Sequence, residues 1–83
     1  MEKKDYLKIA QEYSIKTWNF DIVHFAGEEN GWYYYSCTRE GRPHYSSMPV
    51  AIRVNHNGEI EELPSSLWMK VNADAYRLLQ SQY

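Results

Sequence analysis

The first part of the chain places apolar side chains at helical spacing. The i, i+3, i+4, i+7 pattern is filled by Tyr6, Ile9, Ala10 and Tyr13. Charged residues fall on the opposite side, as in a helix that buries one face. The spacing predicts an amphipathic helix over residues 3–13.

Between residues 17 and 26 the period of the pattern changes to two. Trp18, Phe20 and Ile22 alternate with polar residues, which is typical of a half-buried strand. Residues 27–31 are turn formers with a glycine at each end. They predict a longer hairpin loop, so that the strands on either side of it pair antiparallel.

Residues 31–39, Gly-Trp-Tyr-Tyr-Tyr-Ser-Cys-Thr-Arg, form the most aromatic stretch of the chain. Aromatic and β-branched residues favour strands, and we expect this segment to be a central strand. Alternation gives each face its own set of aromatic side chains, with Trp32 and Tyr34 on one face and Tyr33 and Tyr35 on the other. Such a strand either is covered on both sides or leaves one aromatic face exposed for binding.

Two further strands follow a break in the pattern. The break comes at residues 40–43, which contain a glycine and a proline. Alternation resumes over residues 48–55 and predicts a third strand, with valine and isoleucine on one face. A short fourth strand is expected over residues 59–63, where Pro64 ends it.

The turn between the third and fourth strands can close in two registers. A two-residue loop would place Val54 opposite Glu61, whereas a three-residue loop places it opposite Ile60. We favour the three-residue loop, a type I turn with Gly58 in the left-handed region, because it sets apolar against apolar. The same register pairs Arg53 with Glu61 across the strands.

A second helix is predicted at the C-terminal end. Ser65 and Ser66 offer an N-cap. One helical stripe is formed by Trp68, Val71, Ala75, Leu78 and Leu79. A shorter helix that begins at Ala73, capped by Asn72 with Asp74, is the alternative, and both starting points stay open.

The predicted fold belongs to the α+β class. Its order is an N-terminal helix, a four-stranded antiparallel meander and a C-terminal helix (α-β-β-β-β-α), in a single domain over residues 1–83. A chain of this length buries only about 60–65% of its unfolded surface, so it has no material for a second core. We expect both helices to cover one sheet face, which leaves the aromatic side chains of the other face open.

Composition and charge argue against only a few classes of function. Hydrophobic residues make up 43% of the chain and aromatic residues 16%, so the chain is expected to fold rather than stay disordered. The net charge is −2, and no long run of like charges occurs. The charge pattern therefore indicates neither an acidic tail nor a basic arm for nucleic acid.

The single cysteine and the first residues predict a cytoplasmic protein. Cys37 has no second cysteine with which to form an internal disulfide, which fits a reducing compartment. Met1 is followed by charged residues rather than by an apolar segment, and no apolar run approaches about 18 residues. We therefore expect neither a signal peptide nor a membrane span.

Side chains that could carry catalysis or bind a metal are scattered along the chain. His24, His44 and His56 fall in three different segments, without the spacing of metal ligands. Cys37 lacks the surroundings of an activated nucleophile and is interpreted as a packed core thiol. The glycines are isolated, so the sequence contains no phosphate-binding loop. These observations predict no enzyme activity, no metal site and no cofactor.

Part of the chain resembles the C-terminal half of a double-stranded-RNA-binding domain. The resemblance is carried by residues 41–44 (Gly-Arg-Pro-His), 50–54, Ser66 and 70–75 (Lys-Val-Asn-Ala-Asp-Ala). Members of that family begin and end with a helix. The resemblance implies nucleic-acid binding as an alternative function, in a degenerate form, because the family's phosphate-binding lysine pair falls on Leu67 and Trp68 here.

Residues 5–63 resemble PepSY-type domains and small immunity-protein domains. The resemblance is carried by a short amphipathic helix and by a tyrosine-rich strand that precedes residues 50–60, Val-Ala-Ile-Arg-Val-Asn-His-Asn-Gly-Glu-Ile. Such domains are non-catalytic and act by binding or inhibiting a protein. The resemblance implies the same kind of role here.

The function that these observations favour is that of a small non-catalytic interaction module. It would present an aromatic sheet face to a protein partner or to a second copy of the chain, as a homodimer. Tyrosine and tryptophan dominate binding hot spots because they bury a large area with few rotatable bonds. The candidate contact residues are Trp32, Tyr34, Arg39 and Tyr45, whereas Trp18 is expected in the core.

Overall fold

The fold was obtained as a computed structural model that describes residues 3–38 and 50–80. Its elements are α1 (Lys3–Trp18), β1 (Ile22–Glu29), β2 (Trp32–Thr38), β3 (Val50–Asn55), β4 (Ile60–Glu62) and α2 (Ser65–Gln80). This order confirms the α-β-β-β-β-α arrangement and the α+β class. Neither helix is long and apolar enough to span a membrane, as far as the described residues go.

The four strands form one sheet in the order β1-β2-β3-β4, and each neighbouring pair is antiparallel. The meander is therefore confirmed. The aromatic strand β2 lies inside the sheet, between β1 and β3, as predicted for a segment so rich in strand-forming residues. Strands β1 and β4 are the two edges.

The β3–β4 turn has the predicted three-residue loop. Gly58 has a φ of 85°, and its N–H donates to the carbonyl of Asn55 at 2.9 Å. Val54 lies opposite Ile60, and Arg53 lies opposite Glu61. Apolar and charged cross-strand pairs therefore decide the register as expected.

Helix α1 is longer than its predicted range and ends at Trp18, so the prediction of a strand from residue 17 is wrong at its start. Asn19 ends the helix in the left-handed region, with a φ of 59°, and its N–H donates to the carbonyl of Ile15 at 2.9 Å. The buried hydroxyl of Ser14 donates to the carbonyl of Phe20 at 2.8 Å. These bonds fix the reversal of the chain into β1.

The β1–β2 hairpin closes through a tight turn rather than through the predicted longer loop. Asn30 and Gly31 both have positive φ, at 54° and 81°, which is the two-residue turn that matches the twist of paired strands. Residues 27–29, predicted as loop, belong to β1. The correction has a simple reason, because Asn-Gly adopts this turn without further loop residues.

A β-bulge interrupts β1 where the sequence suggested a loop. Phe25 pairs with Tyr35 and Gly27 pairs with Tyr34, so Ala26 is an extra residue without its own partner. Glycine inside a strand often marks such a bulge. The bulge places Ala26 and Gly27 together opposite Tyr34.

Helix α2 begins at Ser65, which decides between the two predicted starting points in favour of the longer helix. Val71 and Ala75 are its buried residues. The indole N–H of Trp68 donates to the carbonyl of Leu63 at 2.9 Å and holds the first turn against the end of β4.

The two helices pack on opposite faces of the sheet, so the prediction that both cover one face is wrong. Helix α1 packs on the face that carries Tyr33, Tyr35 and Cys37, in a core cluster that includes Tyr6, Ala10, Val23, Ile52 and Val54. Helix α2 packs on the other face, in a cluster of Ala26, Ala51, Leu63, Val71 and Ala75.

Small side chains explain why the second face also accepts a helix. Ala26, Ser36 and Ala51 are buried there and leave room for the backbone of α2 to approach. The hydroxyl of Ser36 donates to the side-chain oxygen of Asn72 on α2. The molecule is thus layered as helix, sheet, helix.

Candidate functional site

Helix α2 covers only part of the sheet face on which it packs, and the rest of that face is accessible. Trp32 and Tyr34, two of the four predicted contact residues, lie on this face and are half-buried. They are neither sealed in the core nor fully open. Arg39 and Tyr45, the other two, lie outside the described residues, so the structure does not bring the predicted set together.

Trp32 and Tyr34 are held in place by Arg53 on the neighbouring strand. The guanidinium carbon of Arg53 lies 4.0 Å from the centroid of the Trp32 ring, in a cation–π contact. Its terminal nitrogens donate to the Tyr34 hydroxyl at 3.3 Å and to the Glu61 carboxylate at 2.5 Å. We refer to Trp32, Tyr34, Arg53 and Glu61 as the Arg53 cluster.

The charge of Arg53 is already engaged within the molecule. The hydrogen bond to Tyr34, together with the contact to Glu61, raises the pKa of Arg53 against the opposing effect of burial. Its Nε is buried and has no hydrogen-bond partner in the described part of the chain. The cluster therefore presents an aromatic and neutralised surface rather than a free cation.

A groove runs between α2 and the hairpin end of β1. It has a volume of about 450 Å³. Its apolar lining residues are Ala26, Tyr34, Leu67, Val71 and Leu78, and its other lining residues are Gly27, Glu28, Glu29, Lys70, Asp74 and Arg77. We call it the β1–α2 groove. A concave site with an apolar lining and a few polar groups is the usual form of a binding site.

The bulge in β1 opens this groove. Gly27 has a φ of 142°, and a Cβ added there would meet no atom of the described residues within 4 Å. A side chain would be strained at this φ. Because Ala26 and Gly27 lie on the same side, two small residues stand where an ordinary strand would present one side chain.

Charges around the groove are unequal. Arg77 donates to the carboxylate of Asp74, three residues before it on α2, and this pair is self-contained. Glu28 and Glu29 are both exposed on the β1 side, whereas Lys70 is exposed on the helix side. The lining thus has one more carboxylate than cations.

Glu28 also interacts with Tyr33, on the α1 side of the sheet. Burial is the main cause that raises the pKa of the Tyr33 hydroxyl, and the nearby Glu28 carboxylate adds to it. Tyr33 stacks on Tyr6 of α1, with ring centroids 4.4 Å apart. Glu28 lies opposite Tyr33 in the register of β1 and β2, so its carboxylate is on the α1 side of the sheet.

Tyr34 joins the groove to the Arg53 cluster. Its ring lines the groove, while its hydroxyl accepts a hydrogen bond from Arg53. Together the two form one continuous surface on the α2 side of the sheet, which we call the α2-side surface. The sequence predicted Trp32 and Tyr34 of this surface as contact residues and gave no sign of the groove.

A second apolar feature lies on the outer side of α2. Met69 and Tyr76 are 68% and 63% exposed, and the seven-residue spacing puts them on one stripe of the helix. Leu67, at the mouth of the groove, is 40% exposed. Among the described residues, α2 therefore carries three of the four large hydrophobic side chains that are exposed, and Ile15 of α1 is the fourth.

The single cysteine does not belong to this surface. Cys37 is fully buried in the α1-side cluster. Burial raises its pKa to about 11, against the opposing effect of a hydrogen bond with Ser14. The thiol is therefore protonated at neutral pH and cannot reach a substrate, which confirms its interpretation as a packed core residue.

Metal-binding side chains do not converge in the described residues. No group of three histidine, cysteine, aspartate or glutamate side chains there could hold an ion. His24 and His56 lie in β1 and in the β3–β4 turn, and His44 is outside the described residues.

Comparison of the chain with protein-family models, with curated proteins and with solved structures found no match. The resemblances to PepSY-type, immunity-protein and double-stranded-RNA-binding domains therefore stay predictions from the sequence.

Proposed function

We propose that this protein is a small non-catalytic interaction module that binds a protein partner, in a binding or inhibitory role, through the α2-side surface. The observation that carries the proposal is the β1–α2 groove, which continues into the half-buried aromatic side chains Trp32 and Tyr34. This replaces the open aromatic sheet face expected from the sequence, because α2 covers most of that face.

The composition of the surface favours a protein partner. Trp32, Tyr34 and Arg53 are of the residue types that most often anchor protein interfaces. They are pre-positioned by mutual contacts, so that little side-chain entropy remains to be lost on binding. Leu67 and Leu78 add apolar area at the groove.

Charge disfavours the alternative of a nucleic-acid-binding domain. Phosphate contacts need free lysine or arginine side chains. Arg53 is paired with Glu61, Arg77 is paired with Asp74, and the groove lining has more carboxylates than cations. The groove lining therefore has no excess of positive charge with which to attract a phosphate backbone.

A cytoplasmic location is part of the proposal. It is supported by Cys37, which is a free thiol with no second cysteine in the chain. Proteins of oxidising compartments seldom keep an odd thiol.

The proposal is tested by selecting peptides and asking where they bind. The full chain is panned against a random peptide library displayed on phage, and enriched peptides are titrated against Leu67→Glu and Leu78→Glu. A carboxylate in the apolar lining should weaken binding by about tenfold or more. Met69→Glu and Tyr76→Glu make the same kind of change on the outer side of α2, and each should change the affinity by less than about twofold.

Two results would contradict the proposal. One is enrichment of peptides that lose affinity with Met69→Glu and Tyr76→Glu but not with the groove variants. The other is binding of mixed-sequence RNA, measured by fluorescence anisotropy, with an affinity that falls steeply as salt rises, which would support the nucleic-acid alternative. Circular dichroism melting of each variant establishes that it is folded.

A further inference from the structure

Two exposed side chains of opposite charge border the β1–α2 groove. Lys70 lies on the helix side and Glu29 on the strand side. Glu29 lies opposite Trp32 in the register of β1 and β2, so its carboxylate is on the α2 side of the sheet. Within the described part of the chain, neither Lys70 nor Glu29 forms an ion pair.

The other charged side chains of the lining are already engaged. Arg77 donates to the carboxylate of Asp74. Glu28 interacts with Tyr33 on the α1 side of the sheet. On the α2 side, the groove therefore offers a ligand one ammonium group and one carboxylate with which to pair.

The floor of the groove lies over the sheet face and is apolar. The ring of Tyr34 packs there against the α2-side cluster, beside Ala26, Gly27 and Val71. Because the bulge brings Ala26 and Gly27 together, β1 contributes no group larger than a methyl to this floor. Such a surface is stabilised when an apolar side chain covers it.

The size and openness of the groove favour a side chain of a polypeptide. The volume of about 450 Å³ is about three times that of a cavity of about 150 Å³ that holds benzene, so a large apolar side chain fits with neighbouring atoms. Leu67 at the mouth is 40% exposed, and the groove continues towards Trp32. A bound segment can therefore extend beyond the groove on the α2-side surface.

We infer that the β1–α2 groove binds a segment of the partner protein in which one large apolar side chain is flanked by an acidic and a basic residue. The apolar side chain packs on the floor over Tyr34, the acidic residue pairs with Lys70, and the basic residue pairs with Glu29. The inference rests on the proposed function and specifies the chemistry of the partner. Burial of the apolar side chain supplies most of the affinity, and the two charges supply selectivity.

The experiment compares three sets of short blocked peptides with leucine at the centre. Peptides of the mixed set carry one lysine and one glutamate, in both orders and with varied glycine spacing. The basic set carries two lysines and the acidic set two glutamates. Each peptide is titrated into the full isotope-labelled chain, and affinity and amide chemical shifts are measured. The best mixed peptide should bind about threefold more tightly than the best of the other sets, with shifts at Ala26, Gly27 and Val71.

Charge reversal at the groove should change which set binds best. Lys70→Glu leaves two carboxylates and should favour the basic set, whereas Glu29→Lys leaves two cations and should favour the acidic set. Lys8→Glu and Glu12→Lys make the same exchanges at exposed positions of α1 and should leave the preference for the mixed set unchanged. Circular dichroism establishes that each variant is folded.

The apolar side chain is tested in the peptide. Alanine in place of the central leucine should weaken binding of the best mixed peptide by about tenfold or more. An equal affinity of the alanine peptide would mean that no apolar side chain enters the groove, and this would overturn the inference.

The remaining outcomes separate the inference from the proposed function. If no set binds, or if the three sets bind equally to the unaltered chain and to both groove variants, the assigned chemistry is wrong, while phage-selected peptides that lose affinity with Leu67→Glu still support the groove. Free leucine that binds as tightly as the mixed peptides would make the ligand a small zwitterion and overturn the inference. Dimerisation that Lys70→Glu abolishes would make a second copy the occupant and overturn it as well. If phage-selected peptides lose affinity only with Met69→Glu, both the inference and the proposed function are wrong.

Discussion

Two buried side chains titrate abnormally because the interior disfavours their charged forms. Burial raises the pKa of Cys37 to about 11. Burial also raises the pKa of Tyr35, to about 12, and the nearby Tyr33 and Tyr6 hydroxyls add to this effect. The Tyr35 hydroxyl is buried without a hydrogen-bond partner among the described residues. Neither side chain can ionise in the folded protein at neutral pH.

The free energy of unfolding should fall as the pH rises above about 9. In the unfolded chain Cys37 loses its proton near pH 9.0, whereas in the folded chain it keeps the proton to about pH 11. The unfolded state therefore binds fewer protons in this window and is favoured, by up to about 2–3 kcal/mol at its upper end. Urea denaturation at several pH values measures the slope.

Replacement of the thiol supplies the control for this slope. Cys37→Ala lowers the free energy of unfolding at every pH because packing is lost. The fall of this free energy from about pH 9 to about pH 11 should, however, be shallower in the variant. Tyr35 still contributes to the decline in the variant. An unchanged slope would mean that Cys37 does not titrate with the shifted pKa.

The contact between Arg53 and Trp32 should be measurable as a coupling energy. Arg53→Met keeps much of the side-chain volume and Trp32→Leu keeps an apolar group, so the double-mutant cycle isolates the cation–π contact. A coupling of about 0.5–1 kcal/mol is expected for a partly exposed pair. Arg53→Met with Trp18→Leu is the matched control, because Trp18 packs on the α1 side, and its coupling should be near zero.

At the scale of elements, local patterns were predictable where neighbouring residues decide them. The β3–β4 register follows from the need to pair Val54 with Ile60 and Arg53 with Glu61, and the structure has both pairs. The amphipathic pattern of α1 and the extended conformation of the central strand β2 were also predictable, because neighbouring residues decide them. In each case the signal lies within about ten residues of sequence.

The errors occur where two local patterns compete. Thr17 and Trp18 continue the alternation that leads into β1, yet they form the last turn of α1, because Asn19 takes the left-handed conformation that ends the helix there. At the first hairpin, five turn-forming residues suggested a loop, while Asn30-Gly31 alone is sufficient to make the turn.

The same turn leads to a prediction about backbone conformation. Gly31→Ala should lower the free energy of unfolding by about 1–2 kcal/mol, because alanine is strained at positive φ. Among the described residues, an added Cβ would approach only the His56 ring, at an ordinary 3.8 Å, so we expect the loss to come from the backbone and not from a clash. Thermal or urea denaturation measures it.

A second pair of variants checks that explanation. Gly31→Asn should cost less than Gly31→Ala, since asparagine tolerates the left-handed region better, and Asn30→Gly should be close to neutral. Equal losses for alanine and asparagine at position 31 would indicate a steric cause instead.

For the whole molecule, the decisive feature is that each face of the sheet has its own helix. This could not be predicted from periodicity, because the small residues Ala26, Ser36 and Ala51, which admit α2, come together only after the strands have paired. The groove was missed for the same reason, since it needs both the bulge and the position of α2. Trp32 and Tyr34 could be predicted as contact residues because aromatic content is visible in the sequence itself.

A sheet shared by two layers implies that both layers unfold together. Loss of α2 would expose the apolar sheet face around Ala51 and Tyr34 and would remove the hydrogen-bond partner of Ser36. The sheet would then be less stable, and it also supports the core cluster under α1. Tryptophans report on each layer, because Trp18 packs against the α1-side cluster and Trp68 against the α2-side cluster.

Two variants each keep one of these reporters, and phenylalanine replaces their other tryptophans. In each variant, the urea transition followed by the tryptophan signal should therefore coincide with the transition followed by circular dichroism. A Trp68 transition at lower urea than the dichroism would show that α2 separates first. In that case α2 would be a movable cover, and the β1–α2 groove could widen without unfolding the sheet.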